Sequence, residues 1–263
     1  MNFNHVPVKY RSLALVLTLS MPTSLGFAQT VSNENSTPPD GHLPPGPPPD
    51  GKMGPQQQTK DASEFTAAKV VDGTAANIQN TSLTATQTDE NAFLVRNGGQ
   101  VTLADSTLAK TGDSSSADAS NFSGQNAVFL ASNSNAKLSN LTLTSDADGA
   151  NAVFATGKTS TVTADHLTIH TKNNSSRGLD ATYDGTIKAA NVDITTEGAH
   201  CGALATDRGE GNVIVNGAKI KTSGEGSPCV YSTGKIQRQR LHADECLLRP
   251  NVLRDEYDGH GFA

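Results

Sequence analysis

Six short phrases recur along the middle of the chain, and their spacing limits the fold more than any other feature. "NAFLV" (91–95), "NAVFL" (126–130) and "NAVFA" (151–155) are near copies; "RGLDA" (177–181), "CGALA" (201–205) and "PCVYS" (228–232) are looser ones. A second phrase keeps step with them. "TSLTAT", "STLAKT", "LTLTS", "LTIHT", "VDITT" and "AKIKT" carry Leu83, Leu108, Leu143, Ile169, Ile194 and Ile220. These aliphatic residues are separated by 25, 35, 26, 25 and 26 positions, a repeat whose long member holds an inserted loop. Within a unit the alternation is two: Leu167 and Ile169 face one way, and His166, Thr168 and His170 the other. That is strand periodicity.

Each unit offers three strand segments punctuated by Gly, Asn and Asp, as turns require. One such coil cannot bury its own inner face. Stacked coils can, with each strand pairing in parallel to its equivalent about 4.8 Å away. The expectation is an all-β chain whose residues 60–237 form a parallel β-helix of about six coils, right-handed as parallel crossovers are. Leu143, Ile169, Ile194 and Ile220 then share one internal column. Asn91, Asn126 and Asn151 are expected at one turn position, where Asn tolerates left-handed backbone and can bond its own kind in the next coil. Arg177, Cys201 and Pro228 follow them in that slot.

Composition agrees with thin layers of short side chains: 17% of the 263 residues are charged, 5% are aromatic, and there is no Trp. The formal charge is -6 with no basic block in the repeats, which argues against nucleic acid as a partner. Residues 1–28 read as an export signal. Lys9 and Arg11 precede a short apolar run, and Gly26 and Ala28 stand at the −3 and −1 positions of a cleavage site. The run is shorter than the ~20 residues that cross a bilayer, and no later segment could span one. Residues 29–59 form a linker, disordered by composition, that contains "PPDGHLPPGPPPDGKMGP"; proline and glycine make it a semi-stiff tether. Residues 238–263 abandon the repeat vocabulary for Arg, Asp, Glu, Leu and His. This tail is either the product of a reading-frame change that cuts the solenoid short or a cap, with Leu247 and Leu248 facing the last coil.

"GALATDRGEGNVIVNGAKIKTSGEGSPCVYSTGKI" resembles a segment of secreted, adhesin-like right-handed β-helix proteins of bacteria, which also carry an export signal and a "PPDG…PPG" stretch before the coils. The likeness spans roughly residues 38–236. It implies the fold and export, and it says little about activity, because the fold hosts many functions. Cys201 and Cys229 depart from the pattern. If "CGAL" aligns with "PCVY", Cys201 sits over Pro228 and Cys229 over Gly202, near disulfide range in an oxidising compartment. Strand neighbours point to opposite faces, which argues against the bond; Cys246 is the third cysteine.

Candidate chemistry is sparse. His200, Asp207 and Arg208 fall within one coil and are the binding candidates, or the start of a lyase or hydrolase site. No second carboxylate is read at the same outer position of the adjacent coil to complete an acid/base pair. The acids of "GDSSSAD" (112–118) and "SDADG" (145–149) read as solvated turns rather than calcium loops. His166 and His170, four apart on a strand, are too far apart to share a metal. No metal or cofactor is expected. The expected role is non-enzymatic and adhesin-like, with Ser/Thr/Asn-rich faces presented to glycans or other cell-surface components from the periplasm, the surface or the medium. The alternative is a polysaccharide lyase or hydrolase. The sequence leaves the oligomeric state open.

Overall fold

A computed structural model describes residues 61–245 of the chain. The expected export signal and linker, and Cys246, Leu247 and Leu248, lie outside the described residues. The chain winds as a parallel β-solenoid of seven coils. The first holds β1 (Thr66–Asp72), β2 (Ala75–Gln79) and β3 (Ser82–Ala85); the second holds β4 (Glu90–Arg96) and β5 (Gln100–Lys110). Then follow β6 (Phe129–Ser132) with β7 (Asn135–Ser145), β8 (Val153–Thr156) with β9 (Thr161–Thr171), and β10 (Leu179–Thr182) with β11 (Thr186–Thr196). The last two coils hold β12 (Leu204–Thr206) with β13 (Asn212–Thr222), and β14 (Val230–Ser232) with β15 (Lys235–Glu245). The short strands stack into one sheet, β1-β4-β6-β8-β10-β12-β14, and the long ones into another, β2-β5-β7-β9-β11-β13-β15, with β3 also beside β5.

Six repeats of each phrase give seven coils because the two series are offset. The first coil has the "TSLTAT" phrase but no Asn-Ala phrase, so β1 is not visible as a repeat. The last has "PCVYS", but its long strand, KIQRQRLHADE, is written in charged residues. That strand still pairs in register with β13, from Asn212↔Lys235 to Ile220↔Ala243. The sheet therefore continues past position 237, and His242 to Glu245 belong to its last described strand.

Leu83, Leu108, Leu143, Ile169, Ile194 and Ile220 lie level with one another across β3, β5, β7, β9, β11 and β13. All but Leu83 are fully buried. Phe93, Phe129, Val153, Leu179 and Leu204 form the facing column of the short-strand sheet, with Phe93 and Phe129 stacked at 5.5 Å. From the second coil on, the second and third strand segments of each coil are continuous but meet at a bend; in the first coil the bend separates β2 from β3. Its corner residue has positive φ in every coil: Asn80, Asp105, Asn140, His166, Asn191, Gly217 and Arg240. Asn, Asp and Gly accept that conformation readily. Corner side chains also bond across coils, Asn140 Nδ2 to Asp105 Oδ1 (2.9 Å) and Asn191 Nδ2 to Asp165 Oδ1 (2.8 Å).

The long repeat carries an insertion, residues 111–125, that folds over the outer face of the short-strand sheet. That face bears Leu94, Leu130 and Phe154 in register, an apolar column too large to leave in water. A turn at Ala62–Glu64, with Phe65, covers it from one side, and the insertion covers it from the other. Arg96 ties down that turn, pairing with Asp72 at 2.8 Å and donating from Nη1 to the carbonyls of Ala62 and Ser63. Gly124 lies so close that a Cβ there would stand 2.6 Å from Leu130 Cδ1 and 2.7 Å from Phe154 Cδ1.

The three asparagines do not form a ladder of their own kind. Backbone pairing sets Ala127, not Asn126, level with Asn91 and Asn151, and Gly202, not Cys201, level with Arg177 and Pro228. Asn126 steps out of line with φ 70°. Each buried amide instead staples loop backbone: Asn91 Nδ2 to Gly124 O (2.8 Å), Asn126 Nδ2 to Gly112 O (2.9 Å) and Asn151 Nδ2 to Ser120 O (3.2 Å). These residues hold the insertion down.

The same register removes the proposed Cys201–Cys229 disulfide. Leu204 pairs with Val230, so Cys201 stands level with Ser227 and Cys229 with Ala203. Cys201 is a free, buried thiol, so it is not the partner of Cys229. Cys201 belongs to a ladder of turn hydroxyls. The N–H of Ala150 donates to Ser176 Oγ (3.0 Å), that of Ser176 to Cys201 Sγ (3.1 Å), and that of Cys201 to Ser227 Oγ (2.9 Å).

Candidate functional site

The outer column Leu94–Leu130–Phe154 changes character where its cover ends. The next three members are Asp180, Ala205 and Tyr231. Ala205 is small and leaves space between an acid and an aromatic ring, and the Arg177 side chain occupies it. Arg177 Nη1 lies 2.6 Å from Asp180 Oδ2, Nη2 lies 2.9 Å from Asp207 Oδ2, and the guanidinium carbon is 5.6 Å from the centroid of the Tyr231 ring. Asp180 is 0% exposed and Arg177 8%. The other carboxylate oxygen of Asp180 has no hydrogen-bond partner among the described residues.

Burial pushes the Asp180 pKa up more strongly than Arg177 pulls it down. Burial also opposes the Arg177 charge, but the two carboxylates outweigh it and raise its pKa above the ordinary arginine value. Tyr231 is raised as well, first by burial and then by the negative charge of Asp207.

Beyond Asp207 lies a second cationic group. Arg208 is exposed, and its guanidinium carbon sits 3.9 Å above the centroid of the Phe122 ring, which the insertion supplies. Its charge also acts on Tyr183: burial raises the Tyr183 pKa and Arg208 opposes the shift. Tyr183 ends a shallow polar groove running along Ser132, Thr156 and Ser123 toward Asp61. Thr182 Oγ1 stands 2.9 Å from both Thr156 Oγ1 and Phe122 O, so a hydroxyl floor is tied to the insertion. Ser123 Oγ, in the groove wall, is buried and has no hydrogen-bond partner among the described residues.

Of the three residues singled out from sequence, the structure brings two together. Asp207 and Arg208 follow the end of β12, whereas His200 precedes its start, exposed in a turn at φ 58° with its N–H bonded to Glu225 O. Asp207 and Arg208 do not pair with each other, since one goes to Arg177 and the other to Phe122. No carboxylate stands level with Asp207 in the adjacent coil, but one lies nearby, level with Ala205. It is Asp180, hidden in the phrase "RGLDA" at a position that is Phe or Leu in earlier copies. That break in the column is the signal that could have found it. Phe122 had no such signal, because the insertion brings it from 86 positions before Arg208.

The acid-rich turns form a different ladder. Asp89 Oδ1 accepts from Ser115 N, Asp113 Oδ1 from Asp148 N, Asp148 Oδ1 from Asn174 N, and Asn174 Oδ1 from Ala199 N, all within 3.0 Å. These side chains splice one turn to the next. Among the described residues no group of three or more His, Cys, Asp or Glu side chains is placed to hold a metal ion, and no helix is long and apolar enough to cross a membrane.

Fold and site together define a parallel β-solenoid protein with one sheet face part-covered by an insertion and part-open over a charged and aromatic cluster. The chain matches no family model, no curated protein and no solved structure.

Proposed function

We propose that this chain is a secreted, adhesin-like solenoid that binds saccharides without cleaving them. The observation that carries the reading is the open end of the short-strand sheet's outer face, where Tyr183 ends a hydroxyl-floored groove beside Arg208 and Tyr231 stands two coils on. A recess with an aromatic end and a few fixed polar groups suits a small polar ligand. The long-strand sheet adds exposed hydroxyls in register at Thr107, Thr142 and Thr168. The signal-like segment at 1–28 supports export.

The paired carboxylates favour the enzymatic alternative only at first sight. A general acid or base must reach the proton that it moves. Asp180 is wholly buried, and Asp207 is held by Arg177. The deciding experiment incubates the mature protein with a glycan array and with pectin and other polysaccharides. Retention without new reducing ends or unsaturated products is expected. Product formation overturns the non-enzymatic reading, and absence of retention overturns the binding reading.

A further inference from the structure

We infer that the saccharide taken by this face carries a carboxylate, and that Arg208 is the residue that reads it. This rests on the glycan reading above and narrows it to a ligand class.

The three arginines placed around the short-strand sheet differ in one respect. Arg96 is paired with Asp72, and Arg177 with both Asp180 and Asp207. Arg208 makes no ion pair with a carboxylate among the described residues, although Asp207 is its chain neighbour. Arg177 has taken that carboxylate. Arg208 is nonetheless held in place, with its flat face over Phe122 at 3.9 Å and its charge beside the Tyr183 side chain. Stacking on an aromatic ring fixes the plane of a guanidinium and leaves its edge donors free. A fixed fork of N–H donors without an anion is preorganised for a planar carboxylate, which it can bind through two parallel hydrogen bonds.

Tyr183 belongs to both this arrangement and the groove, and so connects them. Ser123, next to Phe122 in the chain, is 6% exposed, and its unpartnered hydroxyl lines the groove. A ligand reaching from Arg208 into the groove would meet a cation first and hydroxyls after it, the pattern of a sugar acid. Asp184 and Glu210, exposed in the adjoining turns, lower the affinity for any anion. A preference for an acid that Arg208→Gln abolishes is therefore assigned to Arg208, and not to the exposed Lys158 that follows Gly157 in the groove lining.

The test compares matched ligands on the mature protein by calorimetry: oligogalacturonate against its methyl ester, and sialyllactose against lactose and sulfated lactose. Hydrogen bonds to a charged group predict a preference of about tenfold or more for the free acid in at least one pair. Arg208→Gln should bring acid and neutral ligand to parity, and Arg208→Lys should keep only part of the preference. Phe122→Leu, which releases the guanidinium plane, should weaken acid binding more than neutral binding. Equal affinity for acid and neutral ligands overturns this inference and leaves the glycan reading standing, as does a preference confined to the sulfated sugar or one that survives in Arg208→Gln. Failure to bind any saccharide overturns both.

Discussion

At position 201 a thiol does the work that hydroxyls do in the coils on either side. Cys201 Sγ accepts from the Ser176 N–H and lies 3.2 Å from Asn173 O, just as Ser227 Oγ accepts from the Cys201 N–H and lies 2.8 Å from Gly198 O. Cys201→Ser should therefore fold with stability unchanged or improved. Cys201→Ala strands a buried N–H and should cost about 1–3 kcal/mol in urea unfolding. Equal stability of the two variants would reject the ladder. Lys110 is a second replacement of this kind. It stands level with Ser145, and beyond it with Thr171 and Thr196, yet it is a buried lysine, with Nζ donating to Gln87 O (2.8 Å) and Gly112 O. Burial lowers its pKa to about 8 from an ordinary value of 10.5, although Glu90, Asp113 and Asp89 pull the other way. Between those values the unfolded chain binds more protons than the folded one, so stability rises with pH. The destabilisation is fully present below pH 8 and is relieved by about pH 10.5, with an upper bound on the order of 3 kcal/mol. Lys110→Thr should flatten this slope in urea titrations at pH 8 and 10; an unchanged slope assigns it to other groups.

At the scale of the elements, what the sequence disclosed depended on whether a residue's role repeats. The inner column from Leu83 to Ile220 was legible because every coil needs an aliphatic residue there, and a strand's twofold alternation makes the pattern visible. The corner between the two arms of each long strand repeats as faithfully. It escaped notice because Asn, Asp, His, Gly and Arg share a backbone conformation rather than a chemistry. Aligning the phrase by its first residue puts Asn126 and Cys201 one position out of register. In both cases a turn residue was matched by identity, whereas hydrogen bonding in the strand that follows sets the alignment. The site was legible only in part. Asp207 and Arg208 stand out as charges in a polar repeat. Arg177 and Asp180 look like surface residues until the outer column is traced and Asp180 is found where Leu130 and Phe154 precede it. Phe122 lies in the insertion, the one stretch to which the repeat gives no coordinates.

A solenoid has the whole-molecule problem of stopping, since its last described strands offer an unpaired edge to any chain with the same repeat. Both ends carry the same device. Lys69 in β1 stands level with Phe93, and Arg238 in β15 stands level with Val215, so each terminal strand places an exposed cation in a column that is apolar in the next coil. At the second end the pairing of β15 also slips beside Ile220 and Lys221, and Arg240 occupies the strained corner. Inward charges and bulges are the means by which natural sheets avoid edge-to-edge association. Val230, Ile236 and Leu241 meanwhile remain only partly buried, so apolar surface for a further coil is present and charge opposes its use. Arg238→Val restores the column without altering the strand's alternation. The variant should self-associate end to end, with a sedimentation coefficient that rises with concentration while wild type stays constant. Adding Lys69→Val should extend the dimers into longer oligomers, because both ends of each copy are then permissive. If both variants sediment as wild type does, the inward cations are not what stops the stack.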